Sequence, residues 1–223
     1  YKLDVPKSFD ELKDIAEFFT RPDEGLYGVA IYTQKDYDAM TMGVENMLFS
    51  YGADWKDPET LQVEGVLNSP EGVASLQYYK DLYDCCQAPG LSNAFFAEVN
   101  DAFISGQAVM AMNYFAFFPA LANEGVNPFA ADTGYFSNPA GPGGESFAAL
   151  GGQGVSIISY ISPERQEASK DFIRWFAQED VQAKWGQLGG YTCNIKVLES
   201  DEFLELTPFN PAFAETMLKV KDF

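Results

Sequence analysis

Three stretches of the sequence combine aromatic rings with short polar side chains, and they are the candidates for chemistry. The first is Asp36-Tyr37-Asp38, the second is Asn113-Tyr114-Phe115, and the third is Gly151–Gly154 together with Tyr191–Asn194. An aromatic face can stack on the C–H face of a sugar ring, while carboxylates and amides hydrogen-bond its hydroxyl groups. The stretches therefore predict a site for a neutral polyhydroxyl ligand.

Packing inside a core is the competing interpretation of these aromatic residues. It applies to Tyr114 and Phe115, because aromatic side chains near an apolar strand are usually buried. Tyr37 is flanked by two aspartates in a polar loop, which favours a functional role there.

The glycine-rich stretch Gly151-Gly152-Gln153-Gly154 lies between the apolar run Phe147–Leu150 and the β-branched run Val155–Ile158. Glycine allows a sharp bend and lets another surface approach the backbone closely. The β-branched run predicts a short strand. A tight turn between two strands and a ligand contact both remain open from this stretch alone.

Several kinds of chemistry lack the residues they need. The chain has no histidine, which excludes a histidine-containing hydrolase triad and removes the commonest metal ligand. No glycine-rich phosphate-binding motif occurs. Most acidic residues, such as Asp10, Glu11 and Asp14, fall on predicted helix faces, where a solvated surface is the simplest interpretation.

The three cysteines predict neither a zinc site nor a disulfide. Cys85 and Cys86 are adjacent and Cys193 stands alone. Neighbouring cysteines rarely satisfy disulfide geometry, and no CxxC spacing occurs. We therefore expect buried thiols.

The composition predicts a folded protein that binds neither nucleic acid nor an anionic membrane. Of 223 residues, 47% are hydrophobic and 15% aromatic, which is enough for a core. With 33 acidic and 14 basic residues, the net charge of -19 repels polyanions. No apolar run reaches the roughly 18 residues of a membrane span.

Helix and strand patterns alternate along the chain, which predicts the α/β class. Ser8 with Glu11 marks a helix start, Gly106 is placed to end another helix, and the helix after Pro163 is expected to be the longest. Its expected inner side carries Ala168, Phe172, Trp175 and Phe176. The predicted strands are Leu26–Tyr32, Ala108–Asn113, Gly134–Phe136 and Val155–Ile158.

The order of these segments resembles the family 1 extracellular solute-binding proteins of bacterial ABC sugar transporters. Each motif is weak alone, but the ordered set is fairly specific and spans nearly the whole chain. The matching phrases are Val5–Leu12 for P-x-T-W-x-E-L, Phe103–Asn113 for F-x-x-G-K-A-A-M, Gly151–Gly154 for G-G-W, Ala168–Phe176 for A-x-x-F-I-x-W, and Leu188–Thr192 with Val197-Leu198 for G-G-x-P…V-L.

The resemblance implies a periplasmic-binding-protein-like fold of type II, in which two α/β lobes close over a sugar. Residues 1–147 would form most of the C-terminal lobe, residues 148–206 would cross to the N-terminal lobe, and residues 207–223 would return as a helix. It also implies that the chain lacks the first part of the N-terminal lobe, a C-terminal stretch, and a signal or lipoprotein peptide.

The resemblance also assigns ligand contacts. Tyr37 and Asp38 correspond to an aromatic and an acid after the first lobe strand. Tyr114 corresponds to the stacking aromatic, with Asn113 and Phe115 beside it. The remaining contacts fall at Gly152, Gln153, Tyr191 and Asn194. Two of them depart from the family pattern, because Gln153 replaces a stacking tryptophan and Asn194 replaces a basic residue.

The function implied is capture of a sugar or polyol for an ABC importer, without catalysis, cofactor or metal. The expected partners are the sugar and the permease subunits, the expected state is a monomer, and the expected location is the periplasm or, as a lipid-anchored protein, the cell exterior. Two alternatives remain: a fragment of an α/β carbohydrate-active enzyme that uses a carboxylate pair, and a structural fragment that binds nothing small.

Overall fold

The computed structural model describes residues 1–35, 40–151 and 154–221, and its helices alternate with short parallel strands, which confirms the α/β class. The first helix, α1, spans Phe9–Phe19. In chain order, the further elements are β1 (Tyr27–Ala30), a π-helical turn (Met40–Glu45) leading into α2 (Asn46–Ser50), α3 (Pro70–Cys86), α4 (Phe96–Ile104), β2 (Ala108–Ala111), α5 (Phe118–Leu121), β3 (Ala148–Ala149), α6 (Pro163–Phe176), α7 (Glu179–Gln187), α8 (Ile195–Leu198), α9 (Asp201–Leu204), α10 (Asn210–Met217) and β4 (Val220–Lys221).

Helix α1 begins where the sequence predicts it. The Ser8 hydroxyl accepts a hydrogen bond from the Glu11 backbone N–H at 3.1 Å. The Glu11 carboxylate accepts from the Lys7 N–H at 2.7 Å, one residue earlier than in a standard capping box. One of the free N–H groups at the start of the helix, that of Glu11, is thereby satisfied, and the residue before the cap is held as well.

A parallel pair of strands, β1 and β2, forms the centre of the fold, with Val29 opposite Met110 and Ala30 opposite Ala111. Successive side chains of a strand point to opposite faces. Val29 accordingly packs with α1 and α3, while Ala30 packs with α4. Because helices cover both faces, the strand sequence is continuously apolar.

Helix α4 and strand β2 are joined by a tight turn. Gly106 has a φ of +74°, which confirms the prediction that it ends the helix in the left-handed region. Strand β2 begins two residues later and carries Asn113 and Tyr114 beyond its carboxyl end.

A second parallel pair connects two distant parts of the chain. Ala148 of β3 lies opposite Val220 of β4, and its N–H donates to the Lys219 carbonyl at 3.0 Å. The Lys221 ammonium pairs with Asp54 at 2.8 Å and lies 4.5 Å from the centre of the Phe49 ring. The last described residues are therefore attached beside the start of the glycine-rich stretch.

Two predicted strands do not form. Residues 134–136 and 155–158 belong to no ladder. Val155 and Ile158 are 69% and 51% exposed. A β-branched run becomes a strand only when another strand supplies hydrogen-bond partners, and the described residues place none beside either run.

The prediction that α6 buries one side is wrong for this chain. None of its 14 residues is buried, and Phe172 and Trp175 are more than half exposed. Helix α3, with 17 residues, is also longer than α6. The amphipathic pattern of α6 is real, but its neighbour is α7, whose Trp185 meets the Phe176 ring at 5.6 Å.

The expectation for the cysteines is also wrong. Cys85 and Cys86 form a disulfide, and Cys193 is exposed. The disulfide lies at the last residue of α3, and the next residue, Gln87, already has extended backbone. Neither cysteine is therefore held by a following helical turn.

Among the described helices, none is both long and apolar enough to cross a membrane.

Candidate functional site

Four of the predicted site residues, Tyr37, Asp38, Gly152 and Gln153, lie outside the described residues. The other five are Asn113, Tyr114, Phe115, Tyr191 and Asn194. They fall on two chain segments, one after β2 and one between α7 and α8. A hydrogen bond from the Tyr191 hydroxyl to the Phe115 carbonyl joins the two segments.

Asn113 is buried and its amide is engaged by the protein itself. Its Oδ1 accepts from the Tyr32 hydroxyl at 2.5 Å and from the Tyr114 N–H at 2.8 Å. Its Nδ2 donates to the Phe96 carbonyl at 3.0 Å and to the Asn100 Oδ1 at 2.8 Å. These four bonds use the two acceptor and two donor positions of an asparagine side chain. A direct ligand contact from this amide would have to replace one of them, so that role stays a prediction.

Tyr114 is half-buried, and neighbours on two sides hold its ring. The Tyr32 ring meets it edge-on with centroids 6.1 Å apart. A Cβ at Gly151 would lie 2.5 Å from the Tyr114 Cε1, so the glycine backbone approaches the ring as no other residue could. This is the close approach that the glycine-rich stretch predicts, and it brings that stretch to Tyr114.

Phe115 packs in the interior more than it faces a site. Its ring lies 4.6 Å from Phe118 and 5.4 Å from Phe213, centroid to centroid. This packing favours the core interpretation of Phe115, although it does not test a ligand contact.

Tyr191 links the second segment to the first. Its ring packs 4.8 Å from Phe213, its hydroxyl bonds the Phe115 carbonyl, and burial raises the pKa of that hydroxyl to about 12. Tyr191 therefore remains neutral over the physiological range. A close approach also occurs at Gly190, where a Cβ would lie 2.1 Å from the Trp185 ring.

Asn194 serves the start of α8. Its Oδ1 accepts from the N–H groups of Lys196 at 3.1 Å and Val197 at 3.4 Å, as an N-cap residue does. The preceding Thr192 donates its hydroxyl to the Gln182 Oε1 at 2.7 Å. The described contacts of Asn194 are structural, and its predicted ligand contact remains untested.

A cavity of about 210 Å³ adjoins the segment after β2. Asn113, Tyr114 and Phe115 contribute to its lining, and so does Tyr135. The Tyr135 hydroxyl is buried without a hydrogen-bond partner in the described structure, and burial raises its pKa. The predicted residues of this segment thus adjoin an opening rather than a closed core.

Sequence reasoning missed the buried polar residues behind the site. Asn46 accepts from the Ala149 N–H at 2.8 Å and from the Asn138 side chain at 2.9 Å, which attaches α2 to β3. Glu45 is 1% exposed, and its Oε1 accepts from the Trp55 indole N–H at 2.6 Å. The pKa of the Glu45 carboxyl is raised. Burial is the largest cause, the hydrogen bond from Trp55 opposes it, and the charge of Asp54 adds to it.

A signal for one such residue existed in the sequence. Asn100 interrupts the apolar side of the helix that Gly106 is predicted to end, four residues after Phe96 and one after Val99. A polar residue on an apolar helix face requires a partner once it is buried. Asn100 is 8% exposed and has that partner in Asn113.

The described residues contain no group of three or more cysteines, aspartates or glutamates that could hold a metal ion. The described part of the site is a set of aromatic rings and amides at the carboxyl end of β2, approached by Gly151. Such an arrangement binds small polar molecules by stacking and hydrogen bonding.

Comparison with known proteins identifies the family. The family model for bacterial extracellular solute-binding proteins matches residues 2–211, so the chain belongs to that family. The chain is 29% identical over 185 residues to the putative ABC transporter periplasmic-binding protein YcjN of Escherichia coli K12. The alignment covers 82% of this chain and 40% of that protein. The chain is 24% identical over 209 residues to a probable ABC transporter-binding protein of Deinococcus radiodurans, covering 92% and 48%.

Solved structures agree with the fold. Maltose-bound MalE3 of T. maritima superposes with a TM-score of 0.80 at 27% identity, over 98% of this chain and 55% of that one. A solute-binding protein of Agrobacterium radiobacter K84 in complex with ribitol gives 0.77 at 24% identity, over 97% and 53%. The predicted periplasmic-binding-protein-like fold is confirmed. The chain spans about half the length of these proteins.

Proposed function

We propose that the chain is the part of a substrate-binding protein that captures a sugar or polyol for an ABC importer. The observation that carries the proposal is the position of Tyr114. Its half-buried ring lies beyond the carboxyl end of β2, held by Tyr32 and touched by Gly151. Family membership gives this ring a context, since the similar solved structures include proteins with maltose and ribitol bound.

Sugar chemistry suits such a ring. The C–H faces of a pyranose or polyol are apolar enough to stack on tyrosine, while its hydroxyls need directed hydrogen bonds. In the proposal, Tyr114 supplies the platform and the segments containing Tyr37, Asp38, Gly152 and Gln153 supply polar groups. A matching hydroxyl would be selected because its absence leaves buried polar groups unpaired.

Capture would occur by lobe closure. We assign residues 1–147 to the C-terminal lobe, 148–206 to the crossing strand and helices of the N-terminal lobe, and 207–223 to a returning helix. Support comes from the pairing of β3 with β4, which brings the end of the described chain back beside Ala148. Helix α6 also supports this assignment. None of its residues is buried, and its apolar side would pack against the rest of the N-terminal lobe.

Permease subunits would be the protein partner, and the family's extracellular character favours a periplasmic or lipid-anchored extracellular location. We propose that the protein is a monomer. We also propose that it does not bind nucleic acid, because its net charge of -19 repels polyanions.

A carbohydrate-active enzyme is the alternative from another class. It would need two carboxyl groups facing one another across a ligand, and the described site residues are aromatic rings and amides instead. Incubation with oligosaccharides distinguishes the two functions: unchanged substrate supports a binding protein, and any hydrolysis or transfer product overturns that proposal.

The proposed function is tested by calorimetric titration of the full-length protein with a panel of monosaccharides, maltose, longer maltodextrins and polyols. We expect saturable binding to at least one member, with a micromolar or tighter Kd. Because lobe closure buries apolar surface, the heat capacity change of binding should be negative. Silence across the whole panel would favour the structural fragment and contradict the proposal.

A further inference from the structure

Behind Tyr114 lies a buried chain of three polar side chains, two of which, Tyr32 and Asn100, are not among the predicted ligand contacts. It runs from the Tyr32 hydroxyl to Asn113 and from Asn113 to Asn100. Tyr32 is fully buried, and the two asparagines are 7% and 8% exposed. Polar groups this deep destabilise a core unless every one is bonded, so the arrangement has one preferred geometry.

Asn113 is fixed in orientation by this chain. An asparagine amide can rotate by half a turn and exchange its oxygen and nitrogen. Here the oxygen must face two donors, the Tyr32 hydroxyl and the Tyr114 N–H, while the nitrogen must face the Phe96 carbonyl and Asn100. A rotated amide would set its nitrogen against the Tyr114 N–H and its oxygen against the Phe96 carbonyl, so those two bonds would be lost.

Asn100 is the last side chain of this hydrogen-bonded chain. Its Oδ1 accepts from Asn113, and its Nδ2 donates to the Phe117 carbonyl at 3.2 Å. Phe117 is the last residue of the segment 113–117, and its ring stacks on the Phe96 ring of α4, with centroids 4.3 Å apart. One amide on α4 therefore holds both ends of the segment 113–117.

We propose that Asn100 is a positioning residue for ligand binding, which acts through Asn113 to hold the Tyr114 ring against Tyr32 and Gly151. The claim rests on the proposed function, and it concerns specificity and affinity rather than fold. A ring held before the ligand arrives loses less conformational entropy when a sugar stacks on it. Asn100 itself contacts no ligand.

The test uses two leucine variants of the full-length protein and the sugar that binds best in the panel. Asn100→Leu keeps the shape of the side chain but removes the acceptor for Asn113. Asn127→Leu is the matched control, because Asn127 is fully buried and, among the described residues, its side chain bonds only Leu121, Phe129 and Thr133. Both variants are measured for thermal midpoint and for sugar affinity.

We expect both variants to lower the thermal midpoint, and only Asn100→Leu to weaken sugar binding, by about tenfold. Equal affinity of Asn100→Leu and the wild type would overturn the proposal. An equal loss of affinity in Asn127→Leu would also overturn it, since general destabilisation would then explain the effect.

Asn100→Asp separates positioning from packing. A protonated aspartic acid offers one acceptor and one donor, as the amide does, whereas the carboxylate would face the Phe117 carbonyl and lose the donor. Because burial raises the pKa of an aspartic acid, we expect affinity close to the wild type at about pH 4. At about pH 8 the carboxylate keeps the bond from Asn113 and loses the one to Phe117, so we expect a loss smaller than that of Asn100→Leu. A wild-type-to-variant affinity ratio that does not change with pH would contradict the proposal. A wild type that binds no sugar would instead remove the proposed function itself.

Discussion

Helices α3 and α6 differ in burial although both carry apolar residues at helical spacing. In α3, Tyr78, Leu82 and Cys86 are buried against β1 and α1. In α6, no residue is buried, and its exposed rings Phe172 and Trp175 contact each other. The comparison teaches that an amphipathic pattern predicts which face of a helix can be buried, while the neighbouring elements decide whether it is.

The largest expected difference follows from this comparison. Leu82→Ala should lower the free energy of unfolding by about 3 kcal/mol, because it opens a cavity in a closed core. Phe172→Ala should change it by less than about 0.5 kcal/mol, because its side chain is 57% exposed. Urea unfolding followed by circular dichroism measures both. Similar losses in the two variants would show that α6 is buried in solution.

A smaller effect, on sugar affinity, is expected where Gly151 approaches the Tyr114 ring. Gly151→Ala places a Cβ 2.5 Å from the Tyr114 ring, so the ring or the backbone must move. We expect sugar affinity to fall by about tenfold, with little change in unfolding free energy. Gly154→Ala is the matched control, since a Cβ there meets nothing within 4 Å. Equal affinities for the two alanine variants would refute the contact between Gly151 and Tyr114.

The smallest effect concerns a buried and an exposed carboxyl. Burial raises the pKa of Glu45 in the folded protein. Such a group contributes its full stability below its unfolded pKa and loses it as the pH rises through the folded pKa. Glu45→Gln cannot ionise, so its stability relative to the wild type should be higher at about pH 8 than at about pH 4.

Glu179→Gln serves as the exposed comparison. Glu179 pairs with Lys196 at 2.9 Å on the surface, and exposed ion pairs contribute little. Urea unfolding of both variants at the two pH values should show the trend for Glu45→Gln only. A pH-independent difference for Glu45→Gln would mean that this carboxyl is not desolvated in solution.

Local patterns in the sequence were sufficient where a feature depends on a few neighbouring residues. Ser8 caps α1 and Gly106 ends α4 because hydroxyl capping and a positive φ are properties of single positions. The family resemblance rested on ordered motifs and is confirmed. The glycine-rich stretch predicts a close approach of its backbone to another surface, and Gly151 lies against the Tyr114 ring.

Features that depend on distant partners could not be predicted in the same way. The run Val155–Ile158 has strand propensity but no strand beside it in the described structure. The Asn100–Asn113 bond joins two residues 13 positions apart, on a helix and after a strand, and spacing alone does not disclose it. General geometry disfavours a disulfide between adjacent cysteines, and the sequence does not show that α3 ends at Cys86, where the Cys85–Cys86 disulfide forms.

The role of Tyr114 is tested most directly by a single pair of titrations. Tyr114→Leu and Tyr83→Leu each remove one half-buried aromatic ring, the first at the proposed site and the second on α3. With the best sugar of the panel, we predict that Tyr114→Leu weakens binding by about 0.5–1.5 kcal/mol, on the scale of a stacking contact, while Tyr83→Leu binds as the wild type does. Unchanged affinity in Tyr114→Leu, with the wild type still binding, would contradict the proposed site.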